Sequence, residues 1–341
     1  MSEKSSQPEK LPKPEKSLKP EESSKSGKPD RLHRFRTLNL VLSWVPYGLA
    51  VPLLARATGS AWVQSFFKAH QQRLSDFLRE NGLKVDGRQV FARYLTTNWL
   101  SIWRLLTLSR CSDQIFNRWV SMSGHELFAQ LREQGRPVLL YNSHYGAGKV
   151  FLLALMRQGH VIHSLDRFDL FSFFKIRTRG ELISINLGER QSSFMLKQVF
   201  HARKVLLEGG ILHIAGDGVR GSSGRAIPFL GRLRQFPASV AELALATNAV
   251  VVPTLGTLDP DGRIRLELLA PLQVPAPERP HEERVMDIIQ QYGNLLQARW
   301  LESPGSIWKS ELKSYFDLPL LAETTSAPAS TVSASAIAVN N

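Results

Sequence analysis

From Pro137 onward the chain alternates short apolar runs with helix-length segments, and this alternation constrains the fold more than any other feature of the sequence. The runs read as strands over 138–142, 161–165, 182–186, 210–214, 249–255 and 263–269. The segments between and after them read as helices over 149–158, near 169–178, and over 191–207, 238–247 and 282–301. Strands separated by helices build an α/β sheet covered on both faces, here a mixed β-sheet flanked by helices. Before this stretch, from Ala61 to Arg132, apolar residues recur at helical spacing: Trp62, Phe66, Phe67, Phe77, Phe91, Tyr94, Trp99 and Trp103 among them. That pattern predicts helices whose aromatics enter the core. No internal repeat is present.

Residues 1 to 30 are dominated by Lys, Pro, Glu and Ser, and residues 322–341 are small and polar, so neither end carries a core pattern and both are expected to be disordered tails. Between the first tail and the helical region lies Thr37 to Ala55, an uncharged apolar run bounded by His33-Arg34-Phe35-Arg36 and Arg56. Its length is close to the minimum for a membrane span, but Pro46 and Pro52 favour a kinked, shallow or re-entrant anchor, with a buried hairpin of core helices as the alternative. The expected organisation is therefore a membrane-associating segment over 37–58 and one domain over 60–318. The formal net charge of +13 favours anionic partners, a membrane surface included. The single cysteine, Cys111, cannot form an internal disulfide, which fits a cytosol-facing protein.

The chemistry concentrates in two loops. Tyr141-Asn142-Ser143-His144-Tyr145-Gly146-Ala147-Gly148-Lys149 sets a histidine in a glycine-rich turn between a strand and a helix, where α/β proteins keep reactive groups. Gly216-Asp217-Gly218-Val219-Arg220 follows the strand at 210–214, and two such loops facing one another can make a site. Other readings fail on the residues. A P-loop would need Gly where Ser143 stands and a hydroxyl where Val150 stands. His160 and His163 would point to opposite faces of a strand and cannot share a metal with Asp166. Structural zinc lacks paired cysteines, and no nucleic-acid module is recognisable. No metal and no nucleic acid are expected.

Taken in order, the apolar segment near residue 37, the Asn142-Ser143-His144-Tyr145-Gly146 loop and the Gly216–Arg220 loop form a series. Ala226-Ile227-Pro228-Phe229-Leu230-Gly231, Val250-Val251-Val252-Pro253-Thr254, Trp300 and Trp308 continue it. This order resembles that of the bacterial lipid A biosynthesis acyltransferases, within the glycerophospholipid acyltransferase superfamily. The resemblance implies transfer of a fatty acyl group from an acyl carrier protein or coenzyme A thioester to a hydroxyl of a membrane lipid. The place implied is the cytoplasmic side of the inner membrane, and no cofactor beyond the acyl carrier is needed. It implies His144 as general base, with glycines 146 and 148 letting backbone N–H groups reach the developing oxyanion. It implies Arg220 as phosphate ligand, with Gly218, Arg177 and Arg225 beside it. One position departs: five residues after the histidine the family carries Asp or Glu, and here stands Lys149. An ammonium cannot orient the imidazole, so Asp217 is the expected partner, with Asp166 and Asp169 behind it, and Lys149 is left to bind a phosphate. The reading from another class is a lipid-binding or scaffolding protein that kept the fold without catalysis.

Overall fold

The computed structural model describes residues 40–166, 169–186, 192–217 and 224–321, all within one unit of the chain. Both expected tails, and Gly218 and Arg220 of the second loop, lie outside the described residues. The elements run α1 (Tyr47–Gly59), α2 (Ala61–Ser65), α3 (Lys68–Glu80), α4 (Gly87–Trp99), α5 (Ser101–Arg110), α6 (Asp113–Trp119), β1 (Val120–Ser123), α7 (His125–Glu133) and β2 (Val138–Asn142). They continue α8 (Gly148–Arg157), β3 (Val161–Asp166), α9 (Leu170–Phe173), β4 (Glu181–Asn186), α10 (Ser192–Leu207), β5 (Ile211–Ala215), β6 (Gly224–Phe229) and β7 (Arg232–Pro237). The last are α11 (Ser239–Thr247), β8 (Val250–Leu258), β9 (Ile264–Leu268), α12 (His281–Glu302) and α13 (Lys309–Phe316).

Seven strands form one sheet in the order β1-β9-β8-β2-β5-β3-β4, parallel except where β8 meets β9. It is a mixed α/β sheet, as the strand and helix alternation predicts. β2 lies at its middle and is buried along its whole length. Because side chains alternate across a strand, Leu139 and Tyr141 enter the core on one face while Val138 and Leu140 enter it on the other. The first face is covered by α3, α4 and α10–α13, the second by α1 and α5–α9. The 22 residues of α12 bury Val285, Ile288, Ile289, Tyr292, Leu296 and Trp300, a stripe at three- and four-residue spacing.

The structure departs from the sequence expectation at four places. The region 61–132 is not wholly helical, since Val120–Ser123 adds an edge strand to β9. Helix 169–178 shrinks to the four residues of α9. β6 and β7, unexpected as strands, make a separate antiparallel hairpin. Trp62 and Phe66 are exposed rather than core. In the apolar segment, as elsewhere among the described residues, no helix is long and apolar enough to cross a membrane. Instead α1 follows Pro46, turns Tyr47, Ala50 and Val51 into the core, and leaves Leu49 and Leu53 in solvent.

Candidate active site

Two neighbouring parallel strands that end in register deliver their following loops to the same edge of a sheet. Asn142 pairs with Ala215 at the ends of β2 and β5, and the Gly216 N–H donates to the Asn142 carbonyl at 2.9 Å. Gly216 is needed here, because a Cβ would lie 1.7 Å from the Tyr141 ring that packs beneath the second loop. The result sets Asp217 against His144. One carboxylate oxygen meets His144 Nδ1 at 2.8 Å, and the other accepts the His144 backbone N–H at 2.6 Å. Asp217 is 1% exposed, whereas the His144 side chain is 39% exposed. A carboxylate on Nδ1 fixes the tautomer that leaves the Nε2 lone pair toward solvent.

Behind Asp217 stands a pair that the sequence did not single out. Arg234 of β7 donates to the Asp217 carbonyl at 3.0 Å and to the Glu311 carboxylate of α13 at 2.6 Å. Its guanidinium lies over the rings of Phe229, Phe236 and Trp300. Burial raises the Glu311 pKa, Asp217 raises it further, and despite Arg234 it is pushed up to about 7. For His144, burial pulls the pKa down, but the charge and hydrogen bond of Asp217, with Glu311 behind, raise it above the ordinary value; Lys149 subtracts from this. Burial pushes Asp217 up, and the opposing pull of His144 and Arg234 leaves it below the usual carboxylate range. His213 of β5 adds a second unforeseen group: burial, then Lys149 and His144, push it down to about 3, so it stays neutral. Its Nδ1 lies 2.9 Å from the Ser164 hydroxyl. Donor atoms of His144, Asp217 and Glu311 lie within 4.8 Å of one another, close enough to share a cation. Asp217 is engaged by His144 and Glu311 by Arg234, an arrangement of hydrogen bonds and ion pairs complete in itself.

The match of a family model to residues 88–293, well over half of the chain and including both loops, decides the relationship. The chain belongs to the bacterial lipid A biosynthesis acyltransferases. No curated protein matches it. Among solved structures it is similar to the 1-acyl-sn-glycerophosphate (LPA) acyltransferase PlsC from Thermotoga maritima, at 16% identity and a TM-score of 0.34, over 78% of this chain and 98% of that one.

The other expected residues of this family member fall as follows. Lys149 is half-buried in the first turn of α8 and pairs with no carboxylate among the described residues. Arg225 is held by Glu282 of α12 through two contacts of 2.5 and 2.9 Å, and the structure does not bring it to His144. Arg177 is exposed beside Val161 and Glu181, where β3 and β4 begin, at the end of the sheet opposite His144. Asp169 caps α9 through the Ser172 N–H at 2.9 Å. The glycine expectation also changes. The Gly146 N–H donates to the Ser306 carbonyl and the Ala147 N–H to the Gly256 carbonyl, both at 2.7 Å, so neither faces an oxyanion. Gly146, at φ +56°, serves close packing, since a Cβ would lie 1.7 Å from the Gly256 carbonyl oxygen. The Trp308 indole N–H closes the strap by donating to the Gly146 carbonyl at 2.9 Å.

Proposed function

We propose that the protein transfers a fatty acyl group from an acyl carrier protein or coenzyme A thioester to a hydroxyl of a glycolipid or phospholipid. His144 is the general base and Asp217 its orienting partner. The observation that carries this reading is the 2.8 Å contact of a buried carboxylate with His144 Nδ1. Nε2 takes the hydroxyl proton as the oxygen attacks the thioester carbonyl. The tetrahedral intermediate then collapses, the carbon–sulfur bond breaks, and the thiolate leaves with the proton returned by the imidazolium. Asp217 supports the positive imidazole in the role that a carboxylate at position 149 would otherwise fill. The Lys149 ammonium, together with the amino terminus of α8, suits an anionic phosphate of donor or acceptor. Arg220 is the further phosphate ligand in this reading.

The acceptor is reached from a membrane surface at the cytoplasmic side of the inner membrane. Val41, Trp44, Leu49 and Leu53, with Trp62 and Phe66 of α2, are large apolar side chains left exposed on the amino-terminal helical part of the described chain. This face supports interfacial docking in place of a span. One assay on phospholipid vesicles, with acyl carrier protein and coenzyme A thioesters in parallel, tests both halves. His144→Ala should cut transfer by about 10²-fold or more while the protein still sediments with vesicles. The double variant Leu49→Ser, Trp62→Ser should fold but stay in the supernatant. Retained transfer in His144→Ala overturns the base, and a wild-type protein idle with both donors establishes the lipid-binding reading instead.

A further inference from the structure

Helices α1, α4 and α5 and the turn between β8 and β9 enclose a cavity of about 470 Å³ that no residue of the histidine loop lines. Its volume lies within the range of small-ligand sites, roughly 300–1,000 Å³. The walls are mostly apolar, with Val51 and Leu54 from α1 and Trp103 from α5. Arg104 stands in this wall although it is only 2% exposed. One of its terminal nitrogens donates to the Thr96 carbonyl at 3.0 Å, its Nε finds no acceptor, and among the described residues no carboxylate pairs with it. The neighbouring Tyr47 hydroxyl donates to the Gly262 carbonyl at 2.8 Å and is hydrogen-bonded to the Arg104 side chain, but it brings no charge.

The remaining charges around the cavity do not cancel this one. Asp86 is occupied in capping α4, where it accepts from the Arg88 and Gln89 N–H groups, and Asp259 pairs with Arg265 at 2.8 Å. Arg88 and Arg93 also line the space and donate to neutral groups, the Gly59 carbonyl and the Ser303 hydroxyl. A guanidinium withdrawn from water is strongly disfavoured unless an anion meets it, and its planar fork fits a carboxylate or a phosphate. Arginines without a carboxylate partner among the described residues thus line a space that they share with apolar side chains and the neutral polar groups of Thr58, Gln89 and Thr96.

We propose that this cavity binds a single-chain amphiphile with an anionic head, its carboxylate or phosphate seated on Arg104 and its chain against Val51, Leu54 and Trp103. The site is separate from the His144–Asp217 pair and stands whether or not the chain transfers acyl groups. α1 walls the cavity with Val51 and Leu54 and leaves Leu49 and Leu53 exposed, so the ligand would pack against the helix that carries these exposed side chains.

Equilibrium binding to the full-length protein tests this with four probes: palmitate, hexadecyl phosphate, hexadecanol and inorganic phosphate. The expected result is saturable binding of one palmitate or hexadecyl phosphate per chain, with hexadecanol and inorganic phosphate each at least tenfold weaker. The tighter of the first two identifies the head group. Arg104→Met should bring both anionic probes down to the affinity of hexadecanol, and Ala92→Phe, which fills the cavity from α4, should weaken every chain-bearing probe. His144→Ala should change none of these affinities. Equal affinity for palmitate and hexadecanol overturns the role of Arg104, and inorganic phosphate binding as tightly as hexadecyl phosphate overturns the amphiphile. Should Arg104→Met fail to fold, Ala92→Phe decides alone, and unchanged palmitate binding there rejects the cavity as the site.

Discussion

Two arginines are buried among the described residues, and they are housed in opposite ways. Arg234 touches a carboxylate and a carbonyl and lies over three aromatic rings, so each face of its guanidinium meets a favourable partner. Arg104 has the Thr96 carbonyl, the Tyr47 hydroxyl, an idle Nε and a cavity, and no carboxylate among the described residues. The first is a cation completed by its own chain, and it stiffens the ground on which Asp217 and His144 stand. The second has no internal counter-charge among the described residues. Burial alone therefore does not assign a role to a charge; the presence or absence of an internal counter-charge does.

The largest expected effect tests this contrast directly. Arg234→Met leaves Glu311 buried without its cation and should cost about 3–5 kcal/mol, while Arg104→Met removes an uncompensated charge and should leave stability unchanged or raise it. Urea unfolding of the two variants reads the difference. The double variant Arg234→Met, Glu311→Leu should recover much of the loss, because both members of the pair are then gone. Equal destabilisation by the two single changes would break the comparison and make Arg104 a structural cation.

A smaller effect follows from pH. Glu311 has its folded pKa raised to about 7, so its contribution to stability is present in full below the unfolded value of 4.5 and is lost as pH rises through about 7. His144, also raised, acts in the same direction above 6.5, whereas depressed Asp217 contributes above 3.8 and is lost as pH falls. Stability should therefore be greatest near pH 5 and decline toward pH 8 by on the order of 1–3 kcal/mol for the Glu311 share, since one unit is worth about 1.4 kcal/mol. Glu311→Gln should flatten that decline. Acyl transfer should change the opposite way, rising with pH as the His144 imidazole loses its proton, with the rising limb moved to lower pH in Glu311→Gln. A pH–stability curve that is the same in both proteins would remove Glu311 from the charge network.

How much of this was legible in the sequence depends on whether the signal was local. The strand at 138–142 opens with an unbroken apolar run, Val138 to Tyr141, and its bounds are those observed. The adjacency of His144 and Asp217 could be read because each follows a strand and parallel neighbours share an edge. The β6–β7 hairpin could not, because its two-residue turn puts Leu230 at φ +50°, a conformation usually signalled by Asn or Gly. With that hairpin unseen, Arg234 had no inward face to occupy, although it sits in phase with buried Phe236. Glu311 reaches the site from α13, ninety-four residues beyond Asp217, with no local pattern to mark it. Gly146 of the histidine loop misled for the converse reason: its sequence signal is the same whether the backbone approaches a ligand or another strand, and here it approaches β8.

Lys149 gives the smallest and most discriminating test of the contrast between completed and open charges. Like Arg104 it has no carboxylate partner among the described residues, yet it lies beside the His144–Asp217 pair and its charge opposes protonation of the imidazole. If it is a relic of the lost acid, Lys149→Asp should raise turnover. But Nδ1 of His144 is already taken by Asp217, so a second carboxylate would have no ring N–H to accept. It would raise the imidazole pKa further, shrink the neutral fraction at pH 7 and remove a cation from the helix amino terminus. We expect Lys149→Asp to fold, since an acid in the first turn suits the helix dipole, and to lose about tenfold in turnover, or about 1.4 kcal/mol of barrier. Lys149→Met separates the two causes: a raised KM at unchanged kcat would place the ammonium on a bound anion, and wild-type values for both donors would leave Lys149 without a role in the reaction. Higher turnover in Lys149→Asp would overturn the assignment of Asp217 as the imidazole's sufficient partner.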